Sequence, residues 1–177
     1  MFLFSRVRNA VETPVDIDDA DGSRAWDSAP AYDAALVGTL IATHDDLDAR
    51  IAALLPILGD DPAEAGRSVR GCATTLQELR QTEASCLYPL IARGISSDPI
   101  ARRLFWQSRI VMLGLERRVM RRFEDLDHAI ETGSGVGTAA AHLVNGLAEY
   151  RQRNESSMYP LYDAVGRHIA PVPARVA

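Results

Sequence analysis

Apolar residues recur at steps of three and four along most of this chain, and clusters of turn-forming residues cut the pattern into four stretches. The first runs from about Ala31 to Leu58 and ends at Gly59-Asp60-Asp61-Pro62. Asp61 then offers a side-chain cap, and Pro62 fits the first position of a second helix that runs to about Arg93, with Gly94 as its stop. Ser97-Asp98-Pro99 opens a third helix that ends near Glu131. A glycine-rich link from Thr132 to Gly137 leads to a fourth, from about Thr138 to Gly166. Short connections between long helices force antiparallel neighbours. The pattern therefore predicts an all-α, up-down-up-down four-helix bundle over residues 31–168.

Residues 1–30 lack the pattern. Asp16, Asp18, Asp19 and Asp21 beside Gly22 and Ser23 predict an arm that is irregular and loosely packed or partly disordered. Residues 169–177 carry two prolines and form a tail that cannot extend the last helix.

Each helix has one face that should point inward. On the first it is Val37, Leu40, His44, Leu47, Ile51 and Leu54; on the second Cys72, Leu76, Leu79, Glu83, Cys86 and Leu90. On the third it is Phe105, Ser108, Met112, Leu115 and Val119; on the fourth Leu143, Leu147, Tyr150, Asn154, Ser157 and Leu161. The faces thus carry His44, Glu83, Ser108, Tyr150 and Asn154 into a core that packing alone would fill with Leu or Ile. An unpartnered buried polar group costs a few kcal/mol. These five should therefore meet one another, a water or an ion.

Composition changes the picture little. The 177 residues suit one domain, and 47% are hydrophobic but only 6% aromatic, which favours helices over a sheet. No apolar run approaches the roughly 18 residues of a membrane span. The net charge of −5 argues against a nucleic-acid partner, although all nineteen basic residues are arginine and seven of them lie between Arg102 and Arg122. That stretch is either a solvated face with Glu116 and Glu124 as partners or a docking face for an acidic protein. Cys72 and Cys86 fall on one helix roughly 21 Å apart, too far to pair, which suits a reduced, cytoplasmic setting. No nucleophile motif or phosphate-binding loop is present, and the sequence makes no case for an enzyme.

The second and fourth helices repeat each other at an offset of 71. The run Leu76-Gln-Glu-Leu-Arg-Gln-Thr-Glu-Ala-Ser-Cys-Leu-Tyr-Pro-Leu90 aligns with Leu147-Ala-Glu-Tyr-Arg-Gln-Arg-Asn-Glu-Ser-Ser-Met-Tyr-Pro-Leu161. A duplicated helical hairpin follows, with each Tyr-Pro expected to kink its helix near the end.

Over roughly residues 33 to 166 this arrangement resembles the hemerythrin-like, or HHE cation-binding, family. The second and fourth helices of that family carry His-x-x-x-Glu shortly before Tyr-Pro or Phe-Pro, and the first and third helices add one His each. Leu87-Tyr88-Pro89-Leu90 and Met158-Tyr159-Pro160-Leu161 match the Tyr-Pro part twice. Position by position, the resemblance implies a ligand at His44 and another at Glu83. Leu79, Ser108, Tyr150 and Asn154 stand where the other ligands would be.

Two of six ligands cannot hold the two irons that full members bind. Two arrangements remain for His44 and Glu83. One is a single metal site, with iron the cofactor and Tyr150, Asn154 or Ser108 as further partners. The other, which we favour, is a metal-free His–carboxylate pair with the same three residues completing the hydrogen bonds. The first implies an oxygen or nitric-oxide sensor or carrier. The second implies a non-catalytic interaction or regulatory module without a cofactor, with a protein as partner. Sigma-factor-binding regulators of the regulator-of-sigma-D type are similar in fold.

Overall fold

The computed structural model describes residues 30–169, and the arm before Pro30 and the tail after Ile169 lie outside it. Every regular element among the described residues is helical. Helix α1 spans Leu36–Leu54 and passes into a short 3-10 turn at Leu55–Ile57. Helix α2 spans Pro62–Thr82, and α3, Tyr88–Gly94, continues it after a π turn at Glu83–Leu87. Helix α4 is unbroken over Pro99–Thr132. Helix α5, Val136–Arg153, continues through a second π turn at Asn154–Met158 into α6, Tyr159–Ile169. The four helical stretches share one core.

The ends form where the local chemistry asks for them. Asp61 accepts the Glu64 amide at 2.9 Å, and Asp98 accepts those of Ile100 and Ala101 at 2.9 and 3.0 Å, each with proline at the first helical position. Gly133 closes α4 in the left-handed region at φ 65°, where a side chain would be strained. Helix α1 starts five residues later than expected. Residues 30–35 instead lie against α6: the Tyr162 hydroxyl receives the Asp33 amide at 3.0 Å, and Tyr32 donates to Asp163 at 3.2 Å. The Tyr32 ring fills the space over Gly166, where a β-carbon would come within 1.9 Å of it.

Cross-helix contacts show which neighbours run antiparallel. Arg70 meets Asp127 and Arg80 meets Glu116, so α4 descends as α2 rises. Arg122 reaches the His142 carbonyl and Arg118 meets Glu149, which sets α5 antiparallel to α4.

The duplicated Tyr-Pro segments form wide turns of five residues. Proline has no N–H, and its ring crowds the carbonyl four residues back. Here the ladder skips a residue just ahead of it. Tyr88 donates its amide to Glu83 O and Tyr159 donates to Asn154 O, five residues back in each case. The extra residue also shifts the inward face by one position. Leu87 and Met158 are buried where the helical spacing puts Cys86 and Ser157, and the latter two are half-buried. Tyr162 takes the place expected for Leu161. Elsewhere the expected faces hold, except that Leu36 rather than Val37 is buried on α1 and that Ser108 on α4 is only half-buried.

Candidate functional site

The two π turns place Glu83 and Asn154 side by side in the core, both fully buried. The Glu83 carboxylate accepts four hydrogen bonds. One oxygen takes the Asn154 amide at 3.0 Å and the Tyr159 hydroxyl at 2.8 Å. The other takes the Tyr150 hydroxyl in a short contact and the Tyr88 hydroxyl at a long 3.4 Å. Tyr88 and Tyr159 are the tyrosines of the repeated Tyr-Pro pairs. The one-residue slip of each turn swings them onto the inward face, and helical spacing alone did not place them there. The signal that could have found them is their shared position, five residues after Glu83 and after Asn154.

Burial dominates the electrostatics. It pushes the Glu83 carboxyl up to about 7; the tyrosine hydrogen bonds and Arg109 pull the other way, and the Glu116 charge adds to the rise. The phenols of Tyr88, Tyr150 and Tyr159 lie well above their ordinary 10, first because they are buried and then because they face Glu83. They stay protonated and serve as donors. The carboxyl is the group here whose proton can come and go near neutral pH.

A second buried carboxylate lies beside the first. Glu116, only 2% exposed, binds Arg80 at 2.9 Å and Arg109 at 2.6 Å. Arg109 also stacks over the Tyr88 ring at 3.9 Å. Polar contacts thus run from Arg80 through Glu116 and Arg109 to Tyr88 and Glu83. One of the two sequence readings of the arginine-rich stretch put Glu116 on a solvated face of α4. Glu116 turns inward because Arg80 on α2 and Arg109 on α4 together neutralise it.

His44 does not join the carboxylate. It is 2% exposed, no hydrogen bond or ion pair links it to Glu83, and its Nε2 is buried without a partner. Tyrosine rings surround it, with centroids 5.8 Å away for Tyr150 and 6.5 Å for Tyr159. Burial, and then the nearby Arg151 charge, lower its pKa and keep the imidazole neutral. The expected His–carboxylate pair is therefore not formed. Glu83 is filled by uncharged donors, and a neutral ring gains little by displacing one. Asn154 Oδ1 is the other buried atom of this layer that lacks a partner.

Ser108 is half-buried and makes no bond to Glu83. Leu79 is buried as an ordinary core residue, and His128, His142 and His168 are exposed. Cys72 is buried, with burial raising its thiol, while Cys86 is half-buried beside Ser85; both are free.

The donor set does not fit a diiron centre. Among the described residues, no three His, Cys, Asp or Glu side chains gather closely enough to hold a metal ion. The one central carboxylate has both oxygens engaged by hydrogen-bond donors, whereas a bridging or chelating ligand needs those lone pairs for the metal. The arrangement can order the core, tie the two π turns to each other, and take up or release one proton near neutral pH.

No family model, no curated protein and no solved structure matches the chain.

Proposed function

We propose that this chain is a hemerythrin-like, up-down-up-down bundle whose ligand positions have become a hydrogen-bonded polar centre. In this reading it works as a non-catalytic interaction or regulatory module rather than as an oxygen carrier. What supports the reading is the state of Glu83. At the position where the resemblance puts a metal ligand, both carboxylate oxygens are taken by Tyr88, Tyr150, Tyr159 and Asn154. Two of these, Tyr150 and Asn154, stand where the resemblance itself puts ligands, so the substitutions that removed the ligands also supplied the donors.

The buried, unpartnered Nε2 of His44 favours a second reading, in which that nitrogen binds a single iron and the protein senses oxygen or nitric oxide. One experiment separates the two. The protein is purified aerobically from iron-supplemented cells, its metal content is measured and its absorption spectrum is recorded. The module reading expects well under 0.1 iron per chain and no absorption beyond the aromatic band. Stoichiometric iron with an iron-linked charge-transfer band that vanishes in His44→Ala would overturn it.

A further inference from the structure

The first half of α4 departs from the rest of the bundle. Between Pro99 and Leu115 it buries Phe105, Met112 and Leu115, while Ile100 at 71%, Leu104 at 58%, Ile110 at 56% and Val111 at 47% are open to solvent. Ile100, Leu104 and Val111 lie at i, i+4 and i+11, so they form one stripe along the helix. No carboxylate falls in this stretch, Arg103 lies beside the stripe, and the exposed Arg121 and Arg118, the latter also paired with Glu149, carry the positive face further. A second copy of the same face would set arginine against arginine, which disfavours self-pairing. The face calls for a segment that is both apolar and acidic.

Such a segment belongs to this chain. Residues 12–27 contain Glu12, Asp16, Asp18, Asp19, Asp21 and Asp27 against one basic residue, Arg24, with Val15, Ile17 and Trp26 among them. Its point of attachment is fixed. The Pro30 carbonyl accepts Arg93 Nη2 at 3.3 Å near the end of α3, and α4 begins six residues after Arg93. The chain ahead of Pro30 therefore leaves the bundle at the end from which the stripe runs. From Ile100 to Arg121 the face is about 32 Å long, and sixteen residues can reach up to roughly 53 Å.

We propose that residues 12–27 occupy this face. Their carboxylates meet Arg103 and Arg121, which flank the stripe, and their apolar side chains cover Ile100, Leu104 and Val111. Covalent attachment a few residues away raises the effective concentration, so weak contacts suffice. A protein partner that uses the face must first displace the segment. This goes beyond the reading of the polar centre and does not depend on it: a failure here leaves the metal content of the protein unchanged.

The test uses the full chain with Leu104 replaced by a photoreactive amino acid. Cross-linked peptides are identified by mass spectrometry. Cross-links to residues 12–27 within one chain are expected, with a yield unchanged over a hundredfold dilution. The yield should fall at least fivefold in 0.5 M salt and in the full chain carrying Asp16→Asn, Asp18→Asn, Asp19→Asn and Asp21→Asn. Cross-links between chains would assign the face to a second copy and overturn the proposal. So would cross-links confined to residues 30–169, or a yield the four substitutions leave unchanged. The same reagent at Val111 gives an independent reading if the Leu104 replacement does not fold.

Discussion

The two π turns share one backbone and carry opposite chemistry. Each is five residues long, each begins at the equivalent position of the repeat, and each is followed by Tyr-Pro. At the first, Glu83 only accepts; at the second, Asn154 donates to it. Their tyrosines, Tyr88 and Tyr159, reach the same carboxylate from α3 and α6. The repeat holds the geometry of the polar pocket constant while its two halves carry different chemistry. One half is the acceptor and the other half supplies a donor. The pocket is balanced only because the halves differ.

The largest effect should come from removing the acceptor. Glu83→Leu leaves three hydroxyls and an amide buried without partners, and should lower unfolding stability by on the order of 3–5 kcal/mol. Adding Tyr150→Phe and Tyr159→Phe should recover at least half of that loss in urea unfolding. If the triple variant is no better than the single one, the donors were not what Glu83 satisfied.

Next in size is the pH dependence of the wild-type protein. Folding raises the Glu83 pKa from an ordinary 4.5 to about 7, so its stabilising contribution is complete below 4.5 and is lost as pH rises through 7. A shift of that size corresponds to about 3 kcal/mol. His44 acts with the opposite sign. Its pKa is lowered from 6.5, so its contribution is present above 6.5 and is lost as pH falls through the lowered folded value. Urea midpoints between pH 4.5 and 8.5 should decline toward the alkaline side, and Glu83→Gln should flatten that decline while leaving the acid limb. An unchanged alkaline slope in Glu83→Gln would assign the effect to another group.

Making the two turns alike should be costly. Asn154→Asp replaces the donor facing Glu83 with a second carboxylate and should cost about 2–3 kcal/mol at pH 8. The gap from wild type should narrow below pH 5, where the pair can hold protons. The smallest effect is predicted for Ser108→Ala, within about 0.5 kcal/mol in thermal melts, because Ser108 lies outside the carboxylate's set of donors.

Much of this organisation was legible in the spacing of residues. The inward positions of Leu40, His44, Leu47, Leu76, Leu79, Glu83, Leu143, Leu147, Tyr150 and Asn154 follow from a helical period that is undisturbed ahead of the turns. Asp61-Pro62 and Asp98-Pro99 marked helix starts because proline and a capping carboxylate act locally. Past residues 83 and 154 the period still finds Leu90, but one added residue turns the face and substitutes Leu87, Met158 and Tyr162 for Cys86, Ser157 and Leu161. Proline signalled a disturbance but not its form, since a kink and a wide turn both relieve the same clash. Glu116 was missed for a different reason. Its neutralising arginines lie on two helices, and no local pattern announces a cross-helix pair.

Each wide turn acts as a phase shifter. One surplus residue rotates all that follows by about 100° relative to an uninterrupted helix. Because α3 and α6 pack on each other, the two rotations must stay matched, like teeth on meshed gears. Deleting one residue from Glu83–Leu87 alone would turn the buried Leu90 and Ile91 away from an α6 still set in the old phase, and would take Tyr88 off the carboxylate. Deleting one residue from both turns would restore the mesh but leave Glu83 without two of its donors. The inserts are therefore bound to each other as a pair, and the tyrosine pocket exists only while both are kept.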